Sequence, residues 1–416
     1  MVLTLCMIVK DEAARLGRCL SSAQALADEF VIVDTGSADK TVQIAQKFGQ
    51  VYGFEWQNDF AAARNLSLEK ATQDWILVLD GDEVLVPQMA SQLKRLLSGQ
   101  TINGLSLEDV LVLNLIRQEV GASQSPYTLV ARLFRNRADI RFDRPYHETI
   151  DRSVENVLSR EPHWRVVNLP EVAILHEGYT LEAIAAQDKF SRAREILEDY
   201  LAAHPQDAYT CNKLGALYGQ AGDWPRGLSL LNQGLAASRP KTELETETGT
   251  DPMTLYELHY HAGIACRHLQ DLNGAVAHYQ QAIAQPVLAK LELGAYLNLG
   301  AVYMVQRQPD VAADYFRQAI AIDPSFAIAH YNLGIAYRTQ GYGYFEQAVE
   351  AYRQAIALQS HYAEAYQNLG VVLFKLGRLP EGAQAFRQAI ALYKETNPVA
   401  ASRLEQGLRQ MTLQSS

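Results

Sequence analysis

The chain has 416 residues, enough for two or three domains, with 37 Lys and Arg against 47 Asp and Glu, a formal net charge of −10. That acidity argues against nucleic acid as a partner, and no apolar run approaches the ~20 residues of a transmembrane segment. The opening stretch Met1 to Val9 is apolar without a basic leader, so it is expected to be a strand rather than a signal peptide. The four cysteines (Cys6, Cys19, Cys211, Cys266) show no CxxC spacing, which points to a reducing, cytoplasmic compartment.

Strand-like and helix-like segments alternate over the first eighty residues. Val2 to Val9 is apolar throughout except for Thr4, as expected of a strand buried on both faces. A helical pattern runs from Asp11 to Leu26, then a strand at Phe30 to Val33. The turn Asp34 to Ala38 leads into a helix over Asp39 to Phe48, followed by a strand at Val51 to Phe54. Asn58 or Asp59 can cap a helix reaching Ala71. Trp75 to Leu79 is a fourth strand. Single helices between strands predict right-handed crossovers and a mostly parallel sheet. From Thr101 to His176 shorter β-like stretches follow, at Val110 to Leu113, Leu129 to Phe134, Ile140 to Phe142 and Val172 to Leu175.

From Leu181 onward the pattern is helical and repeats. Leu299-Gly300, Leu333-Gly334 and Leu369-Gly370 recur at spacings of 34 and 36 residues, and Ala319-Ile320, Ala355-Ile356 and Ala389-Ile390 do the same. One unit carries the whole tetratricopeptide signature: Tyr296, Leu299, Gly300, Tyr303, Ala312, Phe316, Ala319 and Pro324. Weaker copies stand around Gly215 and Gly263, separated by a polar, acidic stretch from Arg239 to Pro252 that is expected to be a loop. The glycines and alanines let paired helices approach, and the aromatics fill the space between units that cannot bury their apolar faces alone. The expected division is an α/β domain over 1–180 and an all-α solenoid over 181–416, ending in a capping helix near Val399 to Met411.

Candidate chemistry concentrates in the first part. Asp80-Gly81-Asp82-Glu83 directly follows a buried strand, where ligands of open α/β sheets bind. Two carboxylates separated by one glycine can hold a hard divalent cation, which offsets their repulsion. Asp34-Thr35-Gly36-Ser37 adds a carboxylate and a hydroxyl at a neighbouring strand end, while Asp39 is expected to cap the following helix.

In combination these segments resemble the family 2 glycosyltransferases. Val31 to Thr41 is similar to the motif after the family's second strand, and Trp75 to Glu83 to its DxD strand. Cys6 to Glu12, Ala63-Arg64-Asn65, Arg132 to Arg135, Tyr146-His147-Glu148 and His176 to Tyr179 resemble the branch that includes the bacteriocin S-glycosyltransferases, which also carry tetratricopeptide repeats. The resemblance implies a GT-A fold, a nucleotide-sugar donor (a uridine diphosphate sugar), Mg²⁺ or Mn²⁺, and hexosyl transfer with inversion. By the same resemblance Asp34 would contact the nucleobase, Asp80 the ribose and phosphates, and Asp82 and His176 the metal. Arg64 would bind the donor or pair with Asp34 or Asp80. Glu148 would be the catalytic base, with Asp143 as the alternative, because the Glu-Asp pair common at the family's acceptor site is missing. His147 has ligand, leaving-group and structural roles open to it.

The implied protein is a cytoplasmic transferase whose repeats recruit a peptide, protein or other acceptor along their concave face, a lipid or glycan included, or a second copy of the chain. A scaffold with an inactive transferase-like domain is the alternative, and loss of the acids would mark it. No Walker A pattern and no GxGxxG follows the first strand, which counts against kinase-like and dinucleotide-binding enzymes.

Overall fold

The computed structural model describes residues 1–122, 124–177, 187–238 and 251–414. Gly178, Tyr179, the expected helix start at Leu181 and residues 239–250 of the expected loop lie outside them. Two compact units emerge, Met1–Thr254 and Leu255–Ser416.

The first unit is built on an eight-stranded sheet. Its strands are β1 (Leu3–Val9), β2 (Glu29–Asp34), β3 (Gln50–Gly53), β4 (Trp75–Val78), β5 (Glu83–Leu85), β6 (Val110–Glu119), β7 (Tyr127–Arg135) and β8 (Arg165–His176), in the order β3-β2-β1-β4-β7-β6-β8-β5. The ladders β1–β2, β2–β3, β1–β4 and β6–β8 are parallel, while β4–β7, β6–β7 and β5–β8 are antiparallel. Alternation within a strand explains the continuous apolar runs. Leu3, Leu5, Met7, Trp75 and Leu77 enter one core with helices α1 (Leu16–Ala23) and α4 (Pro87–Leu97). Cys6, Val31, Ile76 and Val78 enter the other, with α3 (Phe60–Lys70) and α5 (Asp151–Arg160).

Three expected elements differ. The helix expected from Asp11 starts only at Leu16, because the chain before it is captured by the loop after β2. The Asp11, Glu12 and Ala13 amides donate to Ser37 Oγ, Thr41 Oγ1 and Asp39 at 3.0, 2.7 and 3.1 Å. The helix expected over Asp39 to Phe48 shrinks to α2 (Thr41–Ala45), opened by the Thr41 amide donating to the Asp39 carboxylate at 2.8 Å. Ile140 to Phe142 is no strand: its neighbour Asp143 makes an isolated bridge to Thr149. The stretch reads as β from the alternation of Ile140, Arg141 and Phe142, but a side chain satisfies the Phe142 backbone in place of a neighbouring strand. Asn65 accepts from the Phe142 amide and donates to the Phe142 carbonyl, both at 2.9 Å.

The first helices described after the sheet belong to the same unit: α6 (Gln187–Ala203), α7 (Ala208–Gln220) and α8 (Trp224–Ala237). Leu197, Leu201, Leu214 and Tyr218 form a core that Tyr146 joins. Arg144 reaches Asp207, the N-cap of α7, at 3.0 Å, and Arg192 donates to Asn58 while its guanidinium lies over Trp56. These bonds cross the position where the sequence texture changes, which places the contact boundary later than residue 180.

The second unit stacks helix pairs, among them Ala289–Val305 with Pro309–Ile322, Ala327–Gln340 with Phe345–Leu358, and Ala363–Lys375 with Leu379–Thr396, before the last helix Pro398–Gln414. The signature glycines face the signature aromatics. A Cβ on Gly300 would lie 2.4 Å from the ring of Phe316, which is 2% exposed, and one on Gly334 would lie 2.6 Å from the ring of Tyr352. Gly300→Ala is therefore expected to destabilise this unit by about 1–3 kcal/mol through overpacking. In a Phe316→Leu background the same change should cost less, and urea denaturation of the single and double variants checks the coupling. Among the described residues no helix is long and apolar enough to cross a membrane.

Candidate active site

Asp34, Asp80 and His176 stand at or just beyond the ends of β2, β4 and β8 on one rim of the sheet, where Arg64 from α3 joins Glu148 to Asp80 and Asp82 meets His176. Asp34 ends β2 and folds its carboxylate back over the next turn, accepting from the amides of Gly36 and Ser37 at 3.1 Å each. This Asx turn shapes the loop that braces residues 11–13.

Asp80 lies two residues beyond β4, gripped by two arginines. Arg64, from α3, donates one Nη to Asp80 and its Nε to Glu148, the latter at 2.9 Å. Arg132, from β7, donates to Asp80 at 2.5 Å and to Glu83 at 3.0 Å. The Arg64 and Arg132 side chains are only 3% and 11% exposed. Burial would raise the Asp80 pKa, but Arg132 and Arg64 outweigh it and hold the carboxyl well below its ordinary value. Burial would likewise lower the arginine pKa values, yet Asp80, with Glu148 and Glu83, keeps both raised. Among the described residues each arginine retains a buried N–H without a partner, Nη1 of Arg64 and Nε of Arg132.

Asp82 and His176 also meet. β5 pairs with β8 so that Glu83 stands opposite His176, and His176 Nε2 lies 3.2 Å from Asp82 Oδ2. On the other side His176 Nδ1 contacts Glu119, which Arg117 holds at 2.8 Å; Arg117 also donates to Glu83 at 3.0 Å. Burial alone would lower the His176 pKa, but its hydrogen bonds to Asp82 and Glu119 raise it to about 10. Asp82 and Glu119 are both held below their ordinary values, burial being outweighed by the His176 contact. Acids and bases thus alternate without a break, from Glu148 through Arg64, Asp80, Arg132, Glu83, Arg117, Glu119 and His176 to Asp82.

Arg117, Glu119 and the pairing roles of Glu83 and Arg132 were not among the expected site residues. The available signals were a basic residue inside the apolar run Leu129 to Phe134, and two charges two positions apart at the end of β6. Asp143 stands apart from this chain of charges. Its carboxylate pairs with Arg144 at 3.2 Å and Arg152 at 3.3 Å, both of which also reach Asp207. His147 is exposed, takes φ +54° and packs edge-on against Tyr146.

Residues 4–102 match the family profile for glycosyl transferase family 2. Residues 293–322, 311–341, 343–377 and 363–396 match tetratricopeptide-repeat profiles. A TPR repeat-containing protein of Synechococcus elongatus is 41% identical over 409 residues, spanning 98% of this chain and 96% of that protein. The glycosyltransferase SunS of Bacillus subtilis is 26% identical over 204 residues, 48% of this chain and 45% of SunS, so that match concerns less than half of either protein. Among solved structures, YrrB, described as a TPR protein with an unusual peptide-binding site, covers 51% of this chain and 100% of its own at 15% identity and a TM-score of 0.40.

Proposed function

Because the chain belongs to the family that joins a family 2 glycosyltransferase domain to C-terminal tetratricopeptide repeats, we propose that this glycosyltransferase draws its sugar from a uridine diphosphate donor and transfers it with inversion. The observation that carries the reading is the convergence of Asp80, Asp82, His176, Arg64 and Glu148 on one strand-end rim. In this reading Asp34 meets the nucleobase and Asp80, immobilised by two buried arginines, meets the ribose. Glu148 takes the proton from the acceptor as the sugar arrives. Arg64 and Arg132, which both bond Asp80, each have an N–H with no partner among the described residues, suited to oxygens of an anionic donor.

A divalent cation suits Asp82 and His176. Asp82 would supply a carboxylate oxygen and His176 an imidazole nitrogen, two donors held 3.2 Å apart on the rim. Among the described residues no cluster of three or more His, Cys, Asp or Glu side chains is arranged to hold a metal unaided, so phosphate oxygens and water would complete the shell, as is usual for Mg²⁺. When bound, the ion supplies positive charge against that developing on the leaving diphosphate.

The repeats are the proposed recruiting arm for a peptide or protein acceptor. The four cysteines are free and buried, in keeping with a reducing, cytoplasmic compartment. The inactive-scaffold alternative would be favoured by missing acids, and Asp34, Asp80, Asp82 and Glu148 are all in the chain. Calorimetry of a uridine diphosphate sugar tests the donor and metal together. Binding is expected with Mn²⁺ and is expected to weaken with chelator or in Asp82→Asn; equal affinity under all three conditions would defeat the metal-bridged reading.

A further inference from the structure

We propose that Glu119 is a positioning residue that aims the His176 imidazole at the cation shared with Asp82, a role that rests on the metal-bridged reading above. The placement follows from strand register. β6 and β8 run parallel and end together, with Glu119 directly opposite His176. β5 lies on the other side of β8 and brings the Asp82–Glu83 turn to the same level. The ring is therefore held at both nitrogens: Nδ1 by Glu119, and Nε2 facing Asp82 Oδ2 at 3.2 Å.

An imidazole binds a metal through one bare nitrogen, and the partner of the other nitrogen selects which one that is. A carboxylate on Nδ1 keeps a proton there and fixes the ring plane, so that Nε2, the nitrogen facing Asp82, is the one that would give up its proton to a cation. Glu119 can do this because it is itself immobile. It is 8% exposed and tied to Arg117 at 2.8 Å, and Arg117 is anchored at 3.0 Å on Glu83, which is fully buried. Arg117 would keep Glu83 as a partner without Glu119, so the arginine alone does not account for the acid. The geometry accounts for it through the ring.

The test uses the full-length chain and Mn²⁺, with uridine diphosphate present, read by calorimetry and by the nitrogen coupling of the bound ion in pulsed electron paramagnetic resonance. The wild type is expected to show coupling from a histidine nitrogen. Glu119→Ala should weaken Mn²⁺ binding by about 10–100-fold, the usual effect of losing such a partner, and should diminish the coupling. Glu119→Gln keeps an oxygen that accepts from Nδ1–H, so it should recover most of both. If the alanine variant does not fold, Glu119→Met, which fills the same space without an acceptor, takes its place with the same expectation. Wild-type affinity and coupling in the alanine or methionine variant would overturn the positioning role. A glutamine variant as weak as alanine would also overturn it, showing that charge rather than ring orientation matters. No Mn²⁺ binding and no nitrogen coupling in the wild type would instead bring down the metal-bridged reading itself, and the Glu119 role with it.

Discussion

Arg132→Met is expected to lower the unfolding free energy of the first unit by about 3–5 kcal/mol, the usual cost of removing one partner from a buried ion pair. Arg132 is 11% exposed and bridges Asp80 at 2.5 Å and Glu83 at 3.0 Å. Methionine fills much of the same volume, so the loss measures charge rather than a cavity. Asp80 is 31% exposed and can turn partly to water, so Glu83, with no exposed surface, carries most of the cost. Arg117 would be its sole remaining cationic contact among those described. Arg132→Lys should recover part of the stability, because one ammonium restores the charge but cannot reproduce the guanidinium fork that serves two carboxylates. Urea denaturation of the three proteins at neutral pH reads the difference. A loss below about 1 kcal/mol, the range of exposed ion pairs, would show that water screens this cluster.

What could be read in the sequence was what local periodicity encodes. Leu3 to Val9 and Trp75 to Val78 announced themselves because both faces of those strands are buried, which leaves no polar alternation to blur the pattern. Leu299-Gly300 and its copies were legible because the close approach of Gly300 to Phe316 recurs at Gly334 and Tyr352 and so imposes a period. The acids Asp80 and Asp82 stood out by following an apolar strand. Arg64 and His176 could be set beside them only through the family resemblance, because partnership here is non-local. Arg64 and Glu148 are 84 positions apart, and His176 and Asp82 are 94 apart. Glu119 could not be paired with His176 before the parallel register of β6 and β8 was known, since a shift of one residue would turn either side chain to the opposite face. Phe142 misled for a related reason: a side-chain amide satisfies its backbone where a strand would otherwise be inferred.

Glu148→Gln is expected to slow sugar transfer by about 10²–10⁴-fold, the usual contribution of a general base, with donor affinity nearly unchanged. Glutamine is well suited to the test because it leaves the scaffold intact. Arg64 Nε donates to Glu148 Oε1 at 2.9 Å, and an amide oxygen can accept the same bond, so Arg64 should stay on Asp80 and the donor side of the rim should keep its shape. What glutamine cannot do is accept the acceptor's proton. Asp143→Asn should by contrast have little effect on the rate. Its carboxylate is committed to Arg144 and Arg152, which also bind Asp207 at the start of α7, so its loss should appear as reduced stability. Single-turnover transfer measured alongside donor calorimetry separates the two residues. Full activity in Glu148→Gln together with a slow Asp143→Asn would reverse the assignment, and would require the acceptor to approach from the side of the rim that faces α7.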